Sequence, residues 1–154
     1  MAVYFFDSSA LVKRYIQETG SAWVQTLCQQ AQPQDLYIAR IAGAEVISAI
    51  ARRGRAGDLP PQELANALGR FRQDFATAYE IIDISPAIVA LAMDFAQNRF
   101  LRGYDAVQLA VAWELHTFRQ MMGLPVLTLV SADNDLNAAA TAEGLMVENP
   151  NAYP

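Results

Sequence analysis

The sequence predicts an α/β fold of three layers: a mainly parallel central sheet of about five strands, with helices on both faces. Three observations carry this. Short apolar runs alternate with helix-period segments from one end of the chain to the other, the pattern of parallel strands joined by crossover helices. Two of the runs, Val3-Tyr4-Phe5-Phe6 and Val126-Leu127-Thr128-Leu129-Val130, are apolar at nearly every position, as strands covered on both faces are. Both end abruptly in polar residues, Asp7-Ser8-Ser9 and Ser131-Ala132-Asp133-Asn134-Asp135. That puts carboxylates at the carboxyl ends of strands, where open α/β sheets bind their ligands.

The elements follow in order. After the first strand, Ser8 to Tyr15 reads as a short helix, broken at Gly20. Ser21 starts a second helix through Trp23, Val24 and Leu27, ended by Pro33. Leu36–Ala39 is a short strand. A helix from about Ile41 to Arg53 places Val46, Ala49 and Ile50 on one face. Residues 54 to 61 form a turn containing a helix stop at Gly54. The helix from Gln62 to Tyr79 turns Leu64, Ala67, Leu68, Phe71 and Phe75 inward. Glu80–Ile84 is a strand. Ser85-Pro86 is a cap followed by a favoured first helical residue. The helix it opens carries Ile88, Val89, Leu91, Ala92 and Phe95. Gly103 interrupts, and Tyr104 to about Met121 is a further helix. After the second apolar strand come a helix through Ala138–Ala140, a stop at Gly144, a last strand at Leu145–Val147 and a short tail over 149–154. No linker, repeat or low-complexity segment divides the chain, so residues 1–154 are read as a single domain.

Composition narrows the class. A chain of 154 residues, 53% hydrophobic, has room for a sizeable core. No apolar run approaches the roughly 18 residues of a bilayer span. The N-terminus opens on a strand without a basic segment leading into a long apolar one, so neither a signal peptide nor membrane attachment is expected. Cys28 is the only cysteine. An intrachain disulfide is thereby excluded, and a reducing, cytoplasmic location fits. Cys28 lies within a helix pattern and reads as a small buried apolar residue. The net charge of −5 argues against capture of nucleic acid by bulk charge. It also suits clustered metal-binding carboxylates. The clusters Arg52, Arg53, Arg55 and Arg99, Arg102 read equally as cations at helix ends.

Four acids stand out by their surroundings. Asp7 ends the first strand, where it serves either as a helix N-cap or, with Ser8 or Ser9 capping instead, as a free carboxylate. Glu45 is the only acid between Asp35 and Asp58 and sits among Ala, Gly, Val and Ile. An ionised carboxylate there is costly unless paired or metal-bound. Asp105 is the only acid between Asp94 and Glu114. The dipole of its helix alone would favour it. Asp133 follows the second apolar strand, with Asp135 two residues on as its rival. Four carboxylates meeting at one sheet edge repel without cations, and hard oxygen ligands of this kind suit magnesium or manganese. Such ions cleave phosphodiesters without a nucleophilic side chain. The chain accordingly has no phosphate-cradling glycine loop and no Gly-x-Ser-x-Gly elbow. His116, the only histidine, stands about 16 Å along its helix from Asp105 and reads as a packed or surface residue.

Four blocks together are similar to a known family: Phe6-Asp7-Ser8-Ser9-Ala10-Leu11-Val12-Lys13, Ala44-Glu45-Val46-Ile47-Ser48-Ala49, Tyr104-Asp105-Ala106-Val107-Gln108-Leu109-Ala110 and Val130-Ser131-Ala132-Asp133-Asn134-Asp135-Leu136. Their order and spacing, over almost the whole chain, resemble the PIN-domain ribonucleases, most closely the VapC-type toxins of bacterial toxin–antitoxin pairs. The resemblance implies a PIN-like fold and a Mg2+- or Mn2+-dependent endoribonuclease acting on RNA as a type II toxin. It further implies a homodimer inhibited by a cognate antitoxin. The antitoxin would lay an apolar stretch near Trp23 and Ala49 and bring a basic side chain to the acids. Asp7, Glu45, Asp105 and Asp133 fall on the family's catalytic, metal-holding positions, and Ser9 and Ser131 on its supporting hydroxyls.

Two other classes compete. A phosphoacceptor signalling domain would use Asp83 at a strand end, but it wants a late lysine and Lys13 is the only lysine. A non-catalytic binding module on the same fold would have no need of all four acids.

Overall fold

The computed structural model describes residues 2–154. Five strands form one sheet: β1 (Val3–Phe6), β2 (Leu36–Ala39), β3 (Glu80–Ile82), β4 (Leu127–Val130) and β5 (Met146–Glu148). Their order is β3-β2-β1-β4-β5, and every pairing is parallel. β1 lies at the centre, in register from Val3 opposite Leu127 to Phe6 opposite Val130. The sheet is thus wholly parallel, a stricter arrangement than the mainly parallel one expected.

Seven α-helices cover it: α1 (Ser8–Leu11), α2 (Ser21–Gln30), α3 (Ala42–Arg55), α4 (Pro61–Thr77), α5 (Pro86–Arg99), α6 (Gly103–Met121) and α7 (Asn134–Ala142). Because strand side chains alternate between faces, β1 feeds two separate cores. Val3 and Phe5 pack with Leu109, Ala110, Leu127 and Leu129 under α5, α6 and α7. Phe6 packs with Leu11, Val24, Ile38, Val46 and Phe71 under α1 to α4. Phe5 and Phe6 are wholly buried, each worth about 1.5–3 kcal/mol of transfer free energy.

Three local readings change. The first helix is a four-residue α1 followed by a 3-10 turn at Val12–Arg14. Gly54 does not stop α3, which runs on to Arg55. A Cβ on Gly54 would stand 2.5 Å from Leu64 Cδ2, so glycine here lets α4 approach α3, and Gly57 at φ +82° makes the turn. The C-terminal segment is docked rather than trailing. Pro150–Ala152 form a 3-10 turn with Pro150 buried, and the Tyr153 ring stacks on Trp23 with centroids 4.5 Å apart and planes 5° apart.

That docking depends on Gly20. It adopts φ +84°, and a Cβ there would lie 2.4 Å from the Pro150 carbonyl oxygen. Gly20→Ala adds left-handed strain to a backbone clash, and is expected to destabilise the protein by about 2 kcal/mol or more. Urea unfolding measures this. An unchanged midpoint would contradict the close approach of the C-terminal turn to α2.

Candidate active site

The chain leaves β1 for β2 and β3 on one side, then crosses to β4 and β5 on the other. The carboxyl ends of β1 and β4 therefore flank the topological switch point, where doubly wound sheets open a crevice. The Asp7 amide donates to the Val130 carbonyl at 3.2 Å, extending the β1–β4 ladder by one rung. Asp7 is consequently held at the crevice floor, 3% exposed. Its carboxylate caps α1, accepting from the Ala10 amide at 3.1 Å. It also accepts from Ser9 Oγ, at 2.7 Å to Oδ1 and 2.9 Å to Oδ2. Ser8 and Ser9 do not take over the cap.

Ser9 and Ser131 tie the two strand ends together. Ser9 Oγ accepts from the Ala132 amide at 2.9 Å while it donates to Asp7. Ser131, fully buried, accepts from the Asp133 amide at 3.1 Å. Asp133 caps α7 through Leu136 N at 2.9 Å. Only its Oδ1 does so, and among the described residues no group donates to its Oδ2. Asp135 lies exposed in the first turn of α7.

The remaining two acids come from the helices. Glu45 sits in the first turn of α3 and Asp105 in the first turn of α6, both half-buried. Gln108, one turn after Asp105 and 1% exposed, was not singled out from sequence. Its Nε2 donates to Glu45 Oε1 at 2.9 Å and to Ser8 Oγ at 3.2 Å, joining α6, α3 and α1. Its Oε1 is buried without a partner. An amide at helical spacing from a candidate acid was the available signal, but a glutamine in an apolar helix is mute until its neighbours are known.

The electrostatics join the acids into one cluster. Burial pushes Asp7 up to about 7 despite its hydrogen bonds, and the charge of Asp105 adds to the rise. Asp105 is pushed up to about 6, first by burial and then by the charges of Asp133 and Glu45, with a smaller push from Asp135. Burial also raises Glu45, against the hydrogen bonds of Gln108 and Ser8. The charges of Glu45 and Asp133 thus act on Asp105, and the charge of Asp105 acts on Asp7.

A hard divalent cation fits this donor set chemically: all-oxygen, anionic, and with Asp7 paired to no cation among the described residues. Among the described residues, however, no three acid, histidine or cysteine side chains stand close enough to ligate one ion together. Magnesium is commonly held by one or two carboxylates while keeping several waters. One or two of Asp7, Glu45, Asp105 and Asp133 would hold it directly, and the others through its waters.

The other candidates lie elsewhere. His116 is packed within α6, 6% exposed. Cys28 is buried and burial pushes its thiol up to about 11, which leaves it inert at neutral pH. Lys13 is buried, donating to Glu18 and to the Thr19 carbonyl. Asp83 is exposed and paired with Arg40. Neither residue supports a phosphoacceptor site. No helix among the described residues is long and apolar enough to cross a membrane.

Comparison with known proteins places the chain in a family. The PIN domain family model matches residues 4–142. The ribonuclease VapC45 of Mycobacterium tuberculosis (strain CDC 1551 / Oshkosh) is 34% identical over 150 residues, spanning 96% of this chain and 95% of that protein. Among solved structures, Mycobacterium tuberculosis VapC20, a sarcin–ricin loop cleaving toxin, superposes with a TM-score of 0.64 at 13% identity, covering 98% of this chain and 99% of that one. A toxin–antitoxin complex from Klebsiella pneumoniae gives 0.60 at 19% identity, covering 96% and 97%. At these identities the structural likeness is one of fold.

The raised carboxylates set a pH dependence. Between about pH 4 and 7 the native protein holds more protons on Asp7 and Asp105 than the unfolded chain does. The stability they contribute is present below their unfolded values and is lost as pH rises through about 6 to 7. In chelator, the wild type is therefore expected to lose melting temperature across that window, and Asp7→Asn to lose less. Asn retains a capping oxygen, so the comparison isolates the charge. Scanning calorimetry at a series of pH values reads it. Parallel profiles for the two proteins would mean that Asp7 ionises normally.

Proposed function

From the membership of this chain in the PIN-domain family, we propose that it is a metal-dependent endoribonuclease. It hydrolyses RNA phosphodiester bonds as the toxin of a type II toxin–antitoxin pair. What supports this is a set of four acids, from segments distant in sequence, in which the charges of Glu45 and Asp133 act on Asp105 and the charge of Asp105 acts on Asp7. The likeness to VapC45 over nearly the whole chain supports the ribonuclease assignment. The likeness of fold to a toxin–antitoxin complex is consistent with an antitoxin partner.

In this reading the four acids are the catalytic, metal-holding groups and Ser9 and Ser131 support them. Magnesium or manganese would supply Lewis-acid stabilisation of the reacting phosphate and activation of the attacking water. Asp7, raised to about 7 by burial, would have to release its proton to hold a cation, so binding would release protons and tighten with pH. Ser9 fixes both oxygens of Asp7, and Gln108 fixes Glu45, so neither carboxylate reorients during reaction. The whole chain acts as one cytoplasmic domain and pairs with a second copy. Its antitoxin approaches near Ala49 and near the Trp23–Tyr153 stack and sets a basic side chain against the acids.

The direct test is RNA cleavage in Mg2+ or Mn2+ against the same reaction in chelator. Cleavage that survives chelation would reject the mechanism. Calorimetry with Mn2+ should show binding that Asp7→Asn weakens greatly. Asp133→Asn should abolish most cleavage while melting stays near normal, because Asn also caps α7. Asp135→Asn should keep most activity; an inactive Asp135→Asn beside an active Asp133→Asn would exchange their roles. Gln108→Leu removes the amide that donates to Glu45 and is expected to lower Mn2+ affinity about tenfold, the scale of lost outer partners at metal sites. Unaltered affinity would make Gln108 a packing residue only.

A further inference from the structure

We propose that the groove between α3 and the start of α6 is a nucleotide subsite, in which Tyr104 stacks on an unpaired base and Arg52 holds the adjoining phosphate. The inference rests on the ribonuclease reading and gives that site its substrate-gripping residues. The groove has a volume of about 400 Å3 and is lined by Ser8, Ser9, Glu45, Ser48, Arg52 and Tyr104 among others, so it includes one of the four acids. Glu45, Ser48, Ala49 and Arg52 stand at i, i+3, i+4 and i+7 on α3 and share one face. Arg52 lies roughly 10 Å from Glu45 along that face.

Two features of the groove have no structural employment. Arg52 is exposed, and among the described residues its guanidinium makes only a 3.4 Å hydrogen bond to the Ser48 carbonyl one turn back. Its neighbour Arg53 is paired with Glu18, and Arg14, Arg40 and Arg99 are likewise paired with carboxylates. Tyr104 directly precedes Asp105 and is 62% exposed. Among the described residues its ring stacks on no other ring and its hydroxyl makes no hydrogen bond. An uncommitted planar cation and an uncommitted aromatic face, lining one groove together with Glu45, match the phosphate and the base of one nucleotide. Base–aromatic stacking is how proteins hold unpaired nucleotides without reading sequence.

The test is equilibrium binding of a short, unstructured, fluorescein-labelled RNA, followed by anisotropy in Mg2+ at several salt concentrations. All proteins carry Asp105→Asn so that the RNA survives. Tyr104→Ala is expected to weaken binding about tenfold, while Tyr104→Phe stays within about twofold of the parent. Arg52→Ala is expected to weaken binding and to reduce the slope of log affinity against log salt by about 0.7, one phosphate's share on a single strand. A strand of the same length with abasic sugars should respond to Arg52→Ala and not to Tyr104→Ala. Both side chains are exposed, and thermal unfolding checks that each variant is folded. Affinity indifferent to both substitutions overturns the subsite. So does an equal loss on the abasic strand for Tyr104→Ala, or no RNA binding by the parent, which would leave the groove to a peptide. Wild-type cleavage in Mg2+ and in chelator is scored separately. Cleavage beside Tyr104-indifferent binding rejects the subsite alone, and Tyr104-dependent binding without cleavage rejects hydrolysis alone.

Discussion

The burial of one carboxylate at the end of the central strand governs the molecule. Asp7 sits where two apolar layers meet, and an ion placed there without compensation is costly. The surrounding chain supplies that compensation piecemeal: a helix amide, a serine proton and a second serine across the crevice. None of these removes the charge, and burial still lifts Asp7 to about 7. The site therefore carries unfavourable electrostatics, offset by the two well-packed cores on either side of β1. Local conflict of this sort in an otherwise consistent fold is the mark of a functional position.

Capping and ligation turn out to be compatible. Asp7 and Asp133 each close a strand and open a helix, and each gives backbone amides an oxygen. A carboxylate has two oxygens, so one or both can face the crevice as well. Helix caps also fix the carboxylate's rotamer, which a mobile surface acid cannot achieve. Ser9 extends the same logic, since its hydroxyl accepts from the Ala132 amide across the crevice while it donates to Asp7.

How much of this was legible depended on the range of the interaction. The β1 and β4 runs are apolar on both faces, and that alone placed them centrally with their polar ends together. The isolation of Glu45 and Asp105 in small-residue surroundings marked them for the same reason. What stayed hidden was long-range and geometric. Gln108 gains its meaning only from Ser8 and Glu45, 100 and 63 residues away. Gly54 read as a stop because a glycine's lack of a side chain is equally a hinge and a contact, and only the position of Leu64 tells them apart. The docked C-terminus was hidden likewise, since Trp23 and Tyr153 carry no joint signal in sequence.

The strand order has a consequence for how the molecule comes into being. β1 is made first, gains β2 early, but receives its other neighbour β4 only when residues 127–130 have been synthesised. At ribosomal speeds of about 5–20 residues per second, the central strand waits on the order of ten seconds with one edge open. Throughout that interval Asp7 has neither the Val130 rung beside it nor Ser131 and Asp133 across from it. A nascent chain thus lacks the completed crevice until β4 is made, and the same holds for any fragment that stops short of β4.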